Sequence, residues 1–275
     1  MNVHGNDPGT NDLVALARDI ERISDAGFEV RPLHQIVNAW LAGLSGLQGR
    51  KVVALTCDDG SDFDFLDLPH PRWGTQRSVL NTLRDFKGKR PAAQPLLHIT
   101  SFVIVSPEAR TVLDRTCMIG KGWWNDGWWR AAVESGLMGI ANHSWDHNHE
   151  SLVASDLPGV RRGTFESIAS RAAADFEIAQ AERLLERNAP SDSLGLFAYP
   201  YGETNEYLEG YLDGSSRRRP LHPPSWGRPR FRAAFTTEPA YLSRESRRWR
   251  MPRFVCGRDW KSPDGLQRIL DGALA

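Results

Sequence analysis

The chain has 275 residues (30.8 kDa), is 40% hydrophobic and 25% charged, and balances 34 Lys+Arg against 34 Asp+Glu. This composition excludes collagen-like, coiled-coil and wholly disordered chains. No run approaches the ~18 apolar residues of a membrane-spanning helix. The length suits one large domain, and single α/β barrels reach this size. The polar start, MNVHGNDPGTND, lacks the basic-then-apolar layout of a secretory signal. The expectation is therefore a cytoplasmic protein with a flexible stretch at 1–9 and one domain over 10–275. Three cysteines (Cys57, Cys117, Cys256) are too few for a disulfide framework and read as reduced thiols. The charge is unevenly spread: residues 214–275 hold 14 Lys+Arg against 5 Asp+Glu, and the remainder is correspondingly acidic. Such asymmetry serves either an anionic partner or a solvated, internally paired face, and the second reading is favoured.

Leu13, Leu16, Ala17, Ile20 and Ile23 fall at helical spacing ahead of Gly27, which suits a C-terminal stop. A short strand at Phe28–Val30 and a helix from Leu33 to Leu44 follow. Lys51–Thr56 reads as a buried strand running into Cys57-Asp58-Asp59-Gly60. Thr75–Phe86 has a helical pattern, Leu96–Val105 is the next strand, and Ser106-Pro107 heads another helix. Gly127–Ser135 is a short helix and Leu137–Ala141 a strand. Thr164–Glu186 should be the longest helix, with Phe165, Ile168, Ala172, Phe176 and Ala179 as its apolar stripe. Leu194–Ala198, Phe231–Thr236 and Met251–Val255 are strand-like, Gly214–Pro229 is a surface loop, and Leu266–Leu274 is a closing helix. Strands separated by helices imply βα units and a mainly parallel sheet, whose ligands gather beyond the carboxyl ends of the strands.

Three polar clusters occupy those ends. In His143-Ser144-Trp145-Asp146-His147, histidines four apart share a face of a helical turn, a spacing that can chelate a metal. His149 extends the cluster, either to orient a neighbour or, as preferred, as a surface residue. Asp58-Asp59 places adjacent carboxylates at a strand end, where one can ligate a cation while the other stays free as a base. An Asx-type turn before Gly60 is the structural alternative. One carboxylate and two imidazoles make three ligands and leave open positions, as in a catalytic metal centre. The third cluster, Phe197-Ala198-Tyr199-Pro200-Tyr201-Gly202, is an aromatic turn whose backbone N–H groups can point into a cleft; a plain β-turn is the alternative.

Together, Thr56-Cys57-Asp58-Asp59-Gly60, the His143/Ser144/His147 motif and Ala198-Tyr199-Pro200-Tyr201 resemble, in order and spacing, the three motifs of the polysaccharide deacetylase family (NodB homology, carbohydrate esterase family 4). The resemblance spans about residues 10–270. It implies an α/β fold, a distorted (β/α) barrel commonly of seven strands. It assigns Asp59, His143 and His147 as metal ligands, Asp58 as general base and the Tyr201 N–H as an oxyanion donor. The chain departs from the pattern in three places. Cys57 replaces a Phe, Ala198 stands where many members carry an arginine that orients the base, and no histidine follows His222 to supply the family's late proton donor.

The expected reaction is hydrolysis of an N-acetyl group on an amino sugar or glycan precursor, with one divalent cation. Zinc suits the mixed N/O ligands, and cobalt, nickel or iron could use them too. A metal-dependent hydrolase of a small non-glycan amide or imide is the alternative; a carbohydrate-binding pseudoenzyme and a nucleic-acid binder rank below it. Tyr199, Pro200, Trp124 and Trp128 are candidate substrate contacts, because indole faces can carry sugar rings. Core packing is the competing use of a Trp side chain. Trp145, between the two histidines, is expected to pack beneath the metal site.

Overall fold

The computed structural model describes residues 12–71, 73–214 and 230–273. Its elements are α1 (Asp12–Asp25), β1 (Glu29–Val30), α2 (Leu33–Leu41), β2 (Val52–Val53), β3 (Leu55–Asp59), β4 (Leu68–His70), β5 (Gly74–Gln76), α3 (Val79–Lys89), β6 (Ile99–Val103), α4 (Pro107–Cys117), α5 (Trp129–Glu134), β7 (Met138–Asn142), α6 (Arg171–Ala174), α7 (Gln180–Asn188), β8 (Leu196–Ala198), α8 (Glu206–Asp213), β9 (Ala233–Phe235) and α9 (Pro263–Gly272). The stretch expected to be flexible at 1–9, and all but the first residue of the 214–229 loop, lie outside the described residues.

Five strands form a parallel sheet in the order β3-β6-β7-β8-β9. Phe102 on β6 and Phe235 on β9 would stand about 14 Å apart in a flat sheet with strands ~4.8 Å apart. Their ring centroids are 5.7 Å apart. The sheet therefore curls into half a barrel with both rings on its concave side. On one flank β2 runs into β3 past Ala54 and pairs in parallel with β1; on the other, Phe235 bridges to Met251. Counting β1 and Met251, seven chain segments lie side by side, as the resemblance implies.

Alternation along the strands decides which residues face inward. Phe102, Ala141, Leu196, Ala198, Ala233 and Phe235 join Leu33 and Val37 of α2 in the inner cluster. The helix α2 stops the amino end of the half-barrel: Arg232, just before β9, donates to Asn38 on it. The intervening residues Ile99, Val103, Met138 and Ile140 face outward and pack under α1, α3, α5, α7 and α9. Each fully buried Leu, Ile or Phe in these layers contributes roughly 1.5–3 kcal/mol relative to exposure.

The structure differs from the sequence reading in five places. The helix expected over 75–86 begins at Val79, because Ser78 caps it by accepting the Asn81 N–H at 3.1 Å, and Gly74–Gln76 pairs with β4 as a hairpin. The helix expected over 164–186 begins at Arg171 behind the Ser170 cap; Phe165–Ser167 is only a 3₁₀ turn. That later start moves the stripe, so Ala172 is exposed and Phe176 half-buried, while Ala173, Ala174, Glu177 and Ile178 are buried. His143–His147 is a loop rather than a helical turn, with left-handed Ser144 and His147. The 251–255 strand reduces to the single bridge at Met251. Helix α8 went unread.

Candidate active site

The strand β3 ends in Asp58 and Asp59, β7 leads into His143, and β8 leads into the Tyr199–Gly202 turn. Parallel pairing puts these carboxyl ends on one rim. Asp59 (φ 74) and Gly60 (φ 72) are both left-handed, a turn that throws the Asp59 carboxylate back over the barrel mouth. Only glycine fits at 60, where a Cβ would sit 2.3 Å from Val103 Cγ1. The unusual Asp59 backbone is held by its carbonyl, which accepts the Ile104 N–H and the Trp124 indole N–H, each at 3.1 Å.

His143 donates from Nδ1 to the Ala198 carbonyl at 2.8 Å, since a carbonyl can only accept. Its Nε2 is left bare and lies 3.4 Å from Asp59 Oδ1. His147 Nε2 lies 3.7 Å from the same oxygen, and the two rings are 5.0 Å apart. Two donors on a tetrahedral ion with bonds of ~2.0–2.1 Å are about 3.4 Å apart. Each imidazole thus stands from the Asp59 oxygen at about the separation a small divalent ion requires, all three ligand atoms lie within 4.8 Å of one another, and among the described residues they form the one such group of histidine, cysteine and acidic side chains. Burial, then the neighbouring His143, pushes His147 down to about 3, so its imidazole is neutral and able to ligate. Its Nδ1 is buried without a partner. The residues fit the metal.

Asp58 takes a different partner. Arg253 grips it with both terminal nitrogens, at 2.7 and 2.9 Å. Burial would raise the Asp58 carboxyl, yet the Arg253 charge and hydrogen bonds, with His143, bring it below its ordinary value. Arg253 is itself fixed by donation from Nε to the Thr236 carbonyl and lies over the Phe102 ring. The sequence reading missed it, because the two partners are 195 positions apart and no local spacing joins them.

Tyr201 (φ 60) is left-handed, and Gly202 behind it packs so closely on Thr237 that a Cβ would meet its Oγ1 at 2.2 Å. The half-exposed Tyr201 ring stands edge-on to His147 at 4.5 Å. The other candidate substrate contacts are placed differently. Tyr199 is fully buried and donates its hydroxyl to the Trp249 carbonyl, and Pro200 is buried beside it. Trp128 is buried, stacked on Phe65 and bonded to Asp62; Trp124 is buried with its N–H on Asp59. All four are buried, and the polar atoms of Tyr199, Trp124 and Trp128 are committed inward. Trp145 is half-buried against Phe176, beneath the histidine loop. His149 is half-buried at the rim; its Nδ1 accepts the Ser151 N–H, and its Nε2 faces Cys117 Sγ at 3.7 Å.

Several arginines of the basic C-terminal region are paired within the chain. Arg247 and Arg250 both bind Glu209, Arg248 binds the Phe231 and Arg232 carbonyls, and Arg258 pairs with Asp259. Arg217–Arg219 lie outside the described residues. No helix among the described residues is long and apolar enough to cross a membrane.

A model of the polysaccharide deacetylase family matches residues 46–213, more than half of the chain. The chain belongs to the polysaccharide deacetylase family. Solved structures share its fold. IcaB from Ammonifex degensii has 18% identity and a TM-score of 0.62, covering 96% of this chain and 90% of that one. Streptococcus pyogenes PplD, solved with acetate, has 17% and 0.60 over 95% and 87%. BC0361, a polysaccharide deacetylase from Bacillus cereus, has 13% and 0.59 over 94% and 61%, so this chain spans less than two thirds of that protein. No curated protein is matched. Identities this low establish the fold, and the site must carry the function. In this member of the family Asp58 is held by Arg253, 55 positions beyond Ala198, where the resemblance expects an arginine.

Proposed function

We propose that residues 10–275 form a metal-dependent N-deacetylase domain that hydrolyses the acetamide of an amino sugar or glycan precursor. The observation that carries this reading is the convergence of Asp59, His143 and His147 at ion-ligand separations beside an Asp58 held ionised by Arg253. A divalent ion held by those three side chains, zinc by preference for mixed N/O ligands and with cobalt, nickel or iron as substitutes, would acidify water and polarise the acetyl carbonyl. Asp58 acts as general base, taking the proton from the attacking water. Arg253 keeps that carboxylate charged and oriented. The Tyr201 N–H, turned by its left-handed backbone, donates to the oxygen on which negative charge develops. Water adds to the acetyl carbon, the proton taken up by Asp58 passes to the departing nitrogen as the C–N bond breaks, and the products are acetate and the free amine.

An acetate-release screen over acetylated amino sugars, their oligomers and small amides, run with zinc and with cobalt, tests the reading. Release from acetylated sugars by the wild type but not by His143→Ala supports it. Release from small amides or imides alone would move the assignment to the alternative hydrolase. No release with any metal would leave a carbohydrate-binding role.

A further inference from the structure

The helical stretch behind the metal loop is not a plain α-helix. Between α6 and α7, residues Asp175–Ala179 form a π turn. At 3.6 residues per turn, positions five apart lie about 140° around an α-helix from one another. The i→i+5 bonding of a π turn returns them to one face. Glu177 and Glu182 are five apart, both fully buried, and both reach the segment that carries His143 and His147.

Every residue from Asn142 to Asp146 except His143 is tied directly or through one neighbour to this stretch. The widened turn presents two successive carbonyls to donors outside the helix: Glu177 O accepts the Trp145 N–H at 2.7 Å, and Ile178 O accepts Asn142 Nδ2 at 3.0 Å. Glu177 Oε2 accepts the Asp146 N–H at 3.3 Å, and Glu182 Oε2 accepts Asn142 Nδ2 at 2.9 Å. Asn142 Oδ1 in turn accepts the Ser144 N–H at 2.8 Å. The other Glu182 oxygen accepts the Gly195 N–H at 2.6 Å, tying the approach to β8 to the same point. The loop so held runs through left-handed Ser144 and His147, conformations costing about 1–3 kcal/mol each unless the surroundings hold them.

We infer that the π turn is a positioning element for the metal-binding loop, with Glu177 and Glu182 as its positioning residues. A regular α-helix would swing one of the two carboxyls off the face that meets Asn142 and Asp146. Neither acid touches Asp59, His143 or His147, so they act by fixing the backbone that aims the imidazoles. The inference rests on the metal reading proposed above.

Zinc affinity, measured by competition with a chelator, tests it without reference to activity. Glu177→Ala should weaken zinc binding by roughly 10–100-fold, the usual cost of losing a group that supports metal ligands. Glu177→Gln keeps an acceptor for the Asp146 N–H and should stay near wild type. Ile178→Ala, a cavity in the same turn on a side chain buried among Phe165, Phe197 and Leu208, should lower the thermal midpoint of the metal-free protein but leave zinc affinity within about twofold. Should Glu177→Ala fail to fold, Glu177→Asp, one methylene too short, should show roughly a tenfold loss. Wild-type affinity in whichever of the Ala or Asp variants folds, or an equal loss in Ile178→Ala, would overturn the inference while leaving the metal reading intact. A wild type that binds no zinc, cobalt, nickel or iron would overturn both.

Discussion

Arg253 and Asp58 meet in a two-pronged ion pair, with nitrogen–oxygen distances of 2.7 and 2.9 Å, across the open side of the half-barrel between β3 and the chain beyond β9. The pair separates the jobs of two adjacent aspartates. Asp58 is turned toward a guanidinium and Asp59 toward two imidazoles, so neighbouring carboxylates that would repel each other have unlike partners.

Arg253→Lys keeps a charge but loses the planar fork, and Arg253→Met loses both. We expect kcat to fall in the order wild type, Lys, Met, by about 10²-fold for Met, the scale on which a misplaced catalytic group costs rate. Metal content should stay at the wild-type level and KM should change little. Steady-state kinetics with metal analysis checks this; metal loss that parallels the rate loss would put Arg253 in the metal site instead.

The two aspartates should respond differently to the same change. Asp58→Asn keeps the shape but removes the base, so at saturating metal kcat should fall by roughly 10²–10⁴ with occupancy intact. Asp59→Asn removes an anionic ligand, so metal affinity should fall and activity should partly return as metal is added. The opposite pattern would exchange their roles, and near-normal turnover in both would remove the catalytic reading.

Elemental analysis of His143→Ala and His147→Ala should show most of the metal gone from each. Full occupancy in both would sink the ligand assignment. His143 is braced by the Ala198 carbonyl whereas His147 Nδ1 has no partner. We therefore expect His143→Gln to lose more affinity than His147→Gln, since it also breaks the brace between β7 and β8.

His98, buried at the amino end of the half-barrel, carries a pH effect independent of catalysis. Burial, then nearby His34, lowers it to about 4, against 6.5 in the unfolded chain. Between those values the unfolded state binds a proton that the folded state refuses, so stability falls as pH drops from about 6.5 toward 4. Glu182 has the opposite sign: burial raises it to about 7, and its contribution is lost as pH rises from its unfolded value of 4.5 through 7. Comparing wild type with His98→Gln isolates the histidine. From pH 7 to pH 5 the wild type should lose on the order of 2 kcal/mol more than the variant in denaturant unfolding. Parallel losses would show that His98 titrates normally.

What could be read along the chain was what neighbouring residues decide together. Asp58-Asp59-Gly60, His143/His147 and Tyr201-Gly202 are contiguous or nearly so, and a strand run ahead of each places it at a carboxyl end. The grouping of Asp59, His143 and His147 and its order were therefore legible, as were β6, β7, β8 and the Ser106-capped α4. The π turn was not, since one extra residue in a helix leaves no local mark yet brings Glu177 and Glu182, five apart, to one face. Whether an aromatic packs or greets a ligand was equally hidden: Tyr199 and Trp128 have the composition of a sugar platform, and only the helices and loops folded over them bury their faces. The hold on Asp58 was the most remote of all. With Ala198 too short to reach it, the arginine comes from Arg253, and that meeting exists only because the sheet curls until the chain beyond β9 faces β3. Local sequence can encode a strand and the turn that ends it, but which side chains confront one another across a barrel is settled by curvature and closure, which depend on every strand at once.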